Sequence, residues 1–121
     1  MNTVINWFEI PVDNLERAII FYHHALEIDF RREHVAGIDM AIFPHDKPAT
    51  GGALVKGEMF TPSRTGAVVY LYTANIEKTL LRIGEAGGKT VFGPEVLPDN
   101  IGTIALIIDS EGNCVGLHQP A

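Results

Sequence analysis

The chain contains two copies of one pattern, and this repeat limits the folds open to it. A shift of 61 residues aligns residues 14–17 (NLER) with residues 75–78 (NIEK). Each block follows a strand-like run and precedes apolar residues at helical spacing. Asn14 and Asn75 are suited to cap the two helices, although Asp13 with Glu16 offers a capping box as an alternative for the first. The pair Gly87-Gly88 predicts a left-handed end to the second helix.

Further strand-like runs follow each helix, at residues 28–35, 38–43 and 53–55 in the first half and at 90–92, 103–108 and 114–118 in the second. Each half therefore reads β-α-β-β-β, which predicts an α+β fold. A four-stranded sheet covered by one helix leaves its other face bare. We therefore expect the two repeats to pair into a curved eight-stranded cleft, where ligands preferentially bind.

The pattern divides one domain, residues 1–121, into repeat one at about 4–56, a linker at 57–66 and repeat two at about 67–119. Two shorter segments are interpreted from their turn-forming residues. Gly51-Gly52 predicts a turn. Residues 95–102 predict a loop able to close over the mouth of the cleft.

Composition narrows the class of partner. Nine basic residues against fifteen acidic ones give a net charge of −6, which argues against nucleic acid or an anionic membrane as the main partner. The single cysteine, Cys114, excludes an intrachain disulfide and a cysteine-based zinc site. The chain has neither a signal-peptide pattern at its start nor an apolar run of about 20 residues. We therefore expect a cytoplasmic protein.

Several segments together resemble one family. They are residues 7–18 (WFEIPVDNLERA) with Phe21-Tyr22, residues 74–77 (ANIE), Gly87-Gly88-Lys89, and residues 109–113 (DSEGN) with Leu117. These segments span almost the whole chain. They resemble the vicinal oxygen chelate superfamily, which has the glyoxalase, bleomycin-resistance and extradiol dioxygenase fold. The resemblance implies the fold, whereas the reaction has to be argued from the site.

The resemblance also implies a divalent metal, held in the cleft by His, Gln or Glu side chains. The corresponding positions in this sequence are Trp7, Val68 and Gly116. None of these side chains offers a lone pair to such a cation. We therefore expect no metal or other cofactor at the usual positions. A non-standard site that uses the chain's histidines, with His34 as a strand candidate, stays open as an alternative.

Strand alternation predicts what the cleft contains. If Trp7 faces the cleft, then Glu9 does too, and Tyr70, Tyr72 and His118 face it from the second half. These five residues are the predicted ligand site, an aromatic pocket for a small organic molecule. Glu9 is suited to act as a general base, with His118 as its proton donor or orienting partner.

Each of these side chains has a structural alternative, which for His118 is a partly solvated position. Glu9 is also placed to pair with Arg31 or Arg32. The aromatic residues are equally suited to fill the interior between the repeats.

The leading interpretation is a glyoxalase- or bleomycin-resistance-like protein that binds a small molecule without the usual metal, either as a sequestering protein or as an enzyme. One alternative is a metal-dependent lyase or isomerase of glyoxalase type. Another is an interaction module whose cleft is filled by its own aromatic residues. Exposed sheet edges predict a homodimer. Whether the repeats pair within one chain or are exchanged between chains stays open.

Overall fold

The computed structural model describes residues 3–121. In chain order its elements are β1 (Trp7–Pro11), α1 (Leu15–Leu26), β2 (Arg31–Val35), β3 (Ile38–Ile42), β4 (Gly51–Lys56), β5 (Tyr70–Tyr72), α2 (Ile76–Glu85), β6 (Lys89–Leu97), β7 (Gly102–Ile108) and β8 (Cys114–Pro120). Both halves have the order β-α-β-β-β, which confirms the α+β class and the two repeats.

The strands form two four-stranded sheets, ordered β1-β4-β3-β2 and β5-β8-β7-β6. In each sheet the first strand of the repeat pairs in parallel with the last, and the other pairs are antiparallel. Within residues 3–121 no strand pairing joins one sheet to the other. Strands β1 and β5 are therefore edge strands, and the sheets are open.

The predicted helix ends are confirmed. The side chains of Asn14 and Asn75 accept hydrogen bonds from the backbone N–H groups of Arg17 and Lys78, at 3.0 and 3.2 Å. After α2, Gly87 has a φ of +95°, and the next N–H, that of Gly88, donates to the carbonyl of Ile83 at 2.9 Å. This is a left-handed helix end, which glycine adopts without strain.

Both repeats contribute to one apolar core. Helices α1 and α2 pack against each other, α1 on β3 and β4 and α2 on β6, β7 and β8. Gly88, just after α2, permits the close approach of Phe21 on α1, because a Cβ atom at Gly88 would lie 2.8 Å from the ring of Phe21. The buried members of the core include Ile10, Val12, Leu15, Ala18, Phe21, Tyr22, Leu54, Leu71, Ile76, Ile83, Ala105, Ile107, Val115 and Leu117. Neither helix of the described chain is long and apolar enough to cross a membrane.

Some predicted boundaries were wrong. Residues 95–97 belong to β6, where Glu95 lies opposite Ile104, so the predicted loop shrinks to a turn at 98–101. Gly93-Pro94 and two register shifts in this strand obscure its alternation. Gly51-Gly52 is not a turn but the start of β4. The strand predicted at 28–35 begins only at Arg31.

Candidate functional site

The predicted aromatic residues lie on sheet faces turned away from the core. Along β5 the buried Leu71 separates the exposed Tyr70 and Tyr72, and along β1 the buried Ile10 follows the exposed Glu9. This alternation is the normal consequence of one sheet face packing on helices.

A cavity of about 600 Å³ is lined by residues of both repeats. Phe8 and Phe43 line it from the first repeat, and Tyr70 and Tyr72 from the second. Its volume falls within the roughly 300–1,000 Å³ typical of small-molecule pockets. Two of the predicted ligand residues therefore meet two aromatic residues that the sequence analysis did not single out.

Helix α2 contributes three polar residues to the lining of this cavity, Lys78, Thr79 and Arg82. Lys78 and Arg82 lie one helical turn apart and therefore on the same side of the helix. The Nε of Arg82 donates to the carbonyl of Ala25 at 3.0 Å, and its Nη2 donates to Oγ1 of Thr79 at 3.2 Å. Its Nη1 lies 3.7 Å from Oε1 of Glu27. The sequence analysis missed both cations, although their four-residue spacing on a predicted helix was a visible signal.

Two glycines make room for rings at the edge of this cavity. A Cβ atom at Gly116 would lie 2.4 Å from Cδ1 of Tyr70, and one at Gly51 would lie 2.5 Å from Cε1 of His45. Any larger residue would displace these rings. The ring of His45 in turn meets that of Trp7 edge-on, with centroids 6.2 Å apart.

The other predicted site residues have different surroundings. The indole N–H of Trp7 donates to Oε2 of Glu9 at 3.3 Å. Glu9 lines a second cavity of about 210 Å³, together with Cys114 and residues of the linker. Nε2 of His118 is 2.7 Å from the carbonyl oxygen of Ile101. His118 lines neither of these two cavities.

The two arginines considered as partners of Glu9 pair elsewhere. Arg31 forms an ion pair with Glu33 and Arg32 with Glu16. Glu9 therefore takes its hydrogen bond from Trp7 rather than from either arginine.

The turn at residues 109–113 lies between the repeats and holds them together. The hydroxyl of Tyr22 on α1 donates to Oδ2 of Asp109 at 2.6 Å. The amide of Asn113 donates to the carbonyl of Pro11 on β1 at 2.7 Å, and its Oδ1 accepts from the N–H of Ser63 in the linker at 2.9 Å. The DSEGN segment therefore has a structural role in joining the halves.

Known proteins share this architecture. The sequence profile of the Glyoxalase/Bleomycin resistance protein/Dioxygenase superfamily matches residues 4–116. The chain belongs to this superfamily.

Solved structures agree with this membership. TnmS3, an antibiotic binding protein from Streptomyces sp. CB03234, is 25% identical with a TM-score of 0.73, and the match covers 100% of this chain and 99% of that one. The V278E mutant of glyoxalase I from Zea mays is 25% identical with a TM-score of 0.72, over 93% of this chain and 44% of that one. FosX from Listeria monocytogenes, at 12% identity and a TM-score of 0.72 over 100% of this chain and 94% of that one, shares the fold. None of the curated proteins matches the chain.

The divalent metal that the superfamily resemblance implies does not fit the side chains of this member. The implied ligand positions carry Trp7, Val68 and Gly116, and the space beside Gly116 is filled by the ring of Tyr70. Between residues 3 and 121, no three His, Cys, Asp or Glu side chains come close enough together to hold an ion. His34 is hydrogen-bonded to Asp39 at 2.6 Å.

Proposed function

We propose that this superfamily member binds a small aromatic organic molecule in the cavity between its repeats and acts as a sequestering protein. The observation that carries the proposal is the cavity of about 600 Å³, lined by aromatic residues of both repeats. Aromatic walls offer a large contact area and favour stacking with a flat ligand. The open volume argues against the alternative of a cleft filled by its own side chains.

Two comparisons bear on the choice between a binding protein and a lyase. TnmS3, an antibiotic binding protein, matches this chain over its full length. The Zea mays glyoxalase I mutant matches with only 44% of its chain. Identity and TM-score are nearly the same for both, so the missing metal-ligand side chains are what favours binding over glyoxalase-type chemistry. We expect the protein to bind its ligand in the cytoplasm.

Ligand binding is tested with flat aromatic probes and a matched pair of variants. Naphthalene and quinoline derivatives should raise the melting temperature, because a ligand that prefers the folded state stabilises it. Tyr72→Ala should weaken binding by about tenfold, since it removes one aromatic wall. Leu81→Ala is the control, because Leu81 is 70% exposed and Tyr72 69% exposed, yet Leu81 lies outside the cavity. Equal affinities for the two variants, or no stabilising probe, would contradict the proposal.

Metal independence is tested on protein purified without chelator or nickel resin. We expect substoichiometric Ni, Zn, Fe and Mn by elemental analysis and unchanged probe binding after chelation. A stoichiometric metal whose removal abolishes binding or activity would instead support the glyoxalase-type alternative.

We also propose that the protein acts as a homodimer. The edge strand β6 exposes the apolar side chains of Val91, Phe92 and Val96. Apolar edge strands favour association through the sheets. Light scattering should give about twice the mass of the 13.2 kDa chain, and Val96→Lys should shift the equilibrium towards monomer. A monomer at micromolar concentration would refute this.

A further inference from the structure

We infer that the ligand of the aromatic cavity is an aromatic carboxylate, whose acidic group is recognised by Lys78 and Arg82. The inference rests on the proposed function and specifies the class of molecule that the cavity takes. It depends on the balance of charge and of unused hydrogen-bond donors along the polar wall.

The charged groups around the cavity are unequal in number and in exposure. Lys78 and Arg82 line it with positive charge, and Glu27 is the one acidic residue in its lining. The side chain of Glu27 is 73% exposed, whereas that of Arg82 is 24% exposed. Solvent screens an exposed charge more than a partly buried one. Lys78 is exposed like Glu27, so Arg82 is the charge that solvent screens least. The formal charges of the lining sum to +1, two cations against one carboxylate, although the whole chain carries a net charge of −6.

Lys78 and Arg82 also have side-chain N–H groups that make no hydrogen bond within the described residues. Lys78 makes no side-chain ion pair within residues 3–121, and its Nζ donates no hydrogen bond there. Nη1 of Arg82 is 3.7 Å from Glu27, which is too long for a hydrogen bond. The other contacts of Arg82, to Ala25 and Thr79, hold the guanidinium in place. Its free N–H groups are therefore preorganised for a ligand.

The threonine hydroxyls beside Arg82 are already engaged. The hydroxyls of Thr73 and Thr79 are hydrogen-bonded to each other at 2.7 Å, and Thr79 also accepts from Arg82. On its α2 side the wall therefore offers free donors and two cations, whereas Glu27, its one carboxylate, is 73% exposed. A ligand that displaces water from these groups has to supply negatively charged acceptors, or the cations lose solvation without compensation. A planar carboxylate matches the guanidinium fork, and an attached aromatic ring matches the opposite wall.

Three probes of similar shape test the inference: 1-naphthoate, 1-naphthamide and 1-naphthylmethylamine, each titrated by calorimetry into the wild-type protein. We expect naphthoate to bind at least tenfold more tightly than naphthamide, and the cationic amine to bind more weakly than either. Lys78→Gln should reduce the preference for naphthoate to threefold or less and leave naphthamide affinity unchanged. Lys89→Gln removes the same charge from β6, outside the cavity, and should keep the full preference. Melting temperatures confirm that both variants are folded.

The failures of the two proposals are distinguishable. Equal affinities for naphthoate and naphthamide, or equal preferences in Lys78→Gln and Lys89→Gln, would overturn the carboxylate inference and leave aromatic binding intact. If none of the three probes binds, the aromatic cavity is not a binding site for such rings and both proposals are wrong.

Discussion

Glu111 and Arg17 form a double hydrogen bond across the two repeats. Nε of Arg17 lies 2.7 Å from Oε2 of Glu111 and Nη2 lies 2.9 Å from Oε1. Oε1 also accepts the backbone N–H groups of Asp13 and Asn14, at 3.0 and 2.8 Å. The side chain of Glu111 is fully buried in this contact. A carboxylate from the β7–β8 turn therefore closes the N-terminal end of a helix in the other repeat, where negative charge is favourable.

Replacing this carboxylate should be costly. Glu111→Gln keeps the shape but removes the charge on which Arg17 and the two N–H groups depend. We expect the free energy of unfolding to fall by about 2–4 kcal/mol, measured by urea denaturation. Glu95→Gln is the control, since Glu95 is exposed on β6, and should change it by less than about 0.5 kcal/mol. Equal effects would show that the contact contributes nothing.

The same contact predicts acid sensitivity. Burial alone would raise the pKa of Glu111, but hydrogen bonds from Arg17, Asn14, Ser110 and Asp13 together lower it from 4.5 to about 2. Because the folded-state pKa is the lower one, this stabilisation is fully present above the unfolded value and is lost as pH falls towards 2. The wild-type free energy of unfolding should decline through this range. The curve of Glu111→Gln should be flatter, and parallel curves would contradict the assignment.

Tyr22 should make the free energy of unfolding depend on pH in the alkaline range. Burial, followed by the charge of Asp109 and its hydrogen bond, raises the pKa of Tyr22 well above 10.0. Above that value the unfolded tyrosine ionises while the folded one keeps its proton, so stability is lost as pH rises beyond about 10. Tyr22→Phe should lower the free energy of unfolding at neutral pH by about 1–3 kcal/mol. It should also flatten the alkaline decline, and an unchanged alkaline slope would exclude Tyr22 as its source.

Gly116 should affect ligand binding because it leaves room for the ring of Tyr70. A Cβ atom at position 116 would meet the ring at 2.4 Å, so Gly116→Ala should push the ring aside and weaken binding of the aromatic probes by about tenfold. The stability loss should stay near 1 kcal/mol, because Tyr70 is half-exposed and free to move outward. Gly84→Ala is the control, since nothing lies within 4 Å of a Cβ atom there. Unchanged affinity in Gly116→Ala would remove Tyr70 from the site.

Glu9 was predicted, together with His118, to take part in proton transfer. Its hydrogen bond comes from Trp7, and both residues are exposed. Glu9→Gln should therefore change the free energy of unfolding by less than about 0.5 kcal/mol, as followed by the fluorescence of the chain's single tryptophan. A loss of ligand affinity or activity at full stability would support the predicted role. Unchanged affinity would remove Glu9 from the site.

Local patterns determined the repeat architecture. Helix caps at Asn14 and Asn75, the left-handed end at Gly87 and the alternation along β1 and β5 all depend on neighbouring residues, so they are readable from the chain. The end of β6 could not be predicted from the sequence, because Gly93-Pro94 interrupts the alternation of its side chains. The need for glycine at position 51 could not be predicted from its neighbours either, because the ring of His45, from the preceding loop, occupies the space beside it.

Tertiary packing decided which residues form the cavity. Tyr70 and Tyr72 were predicted from alternation within their own strand, whereas Phe8, Lys78 and Arg82 join them only through the way that the repeats meet. The same packing gives Glu9 and His118, which the sequence placed on one cleft, different surroundings. Sequence periodicity determines which face of an element a residue occupies. The distance between faces of different repeats depends on the packing of α1 against α2, and no local pattern encodes that distance.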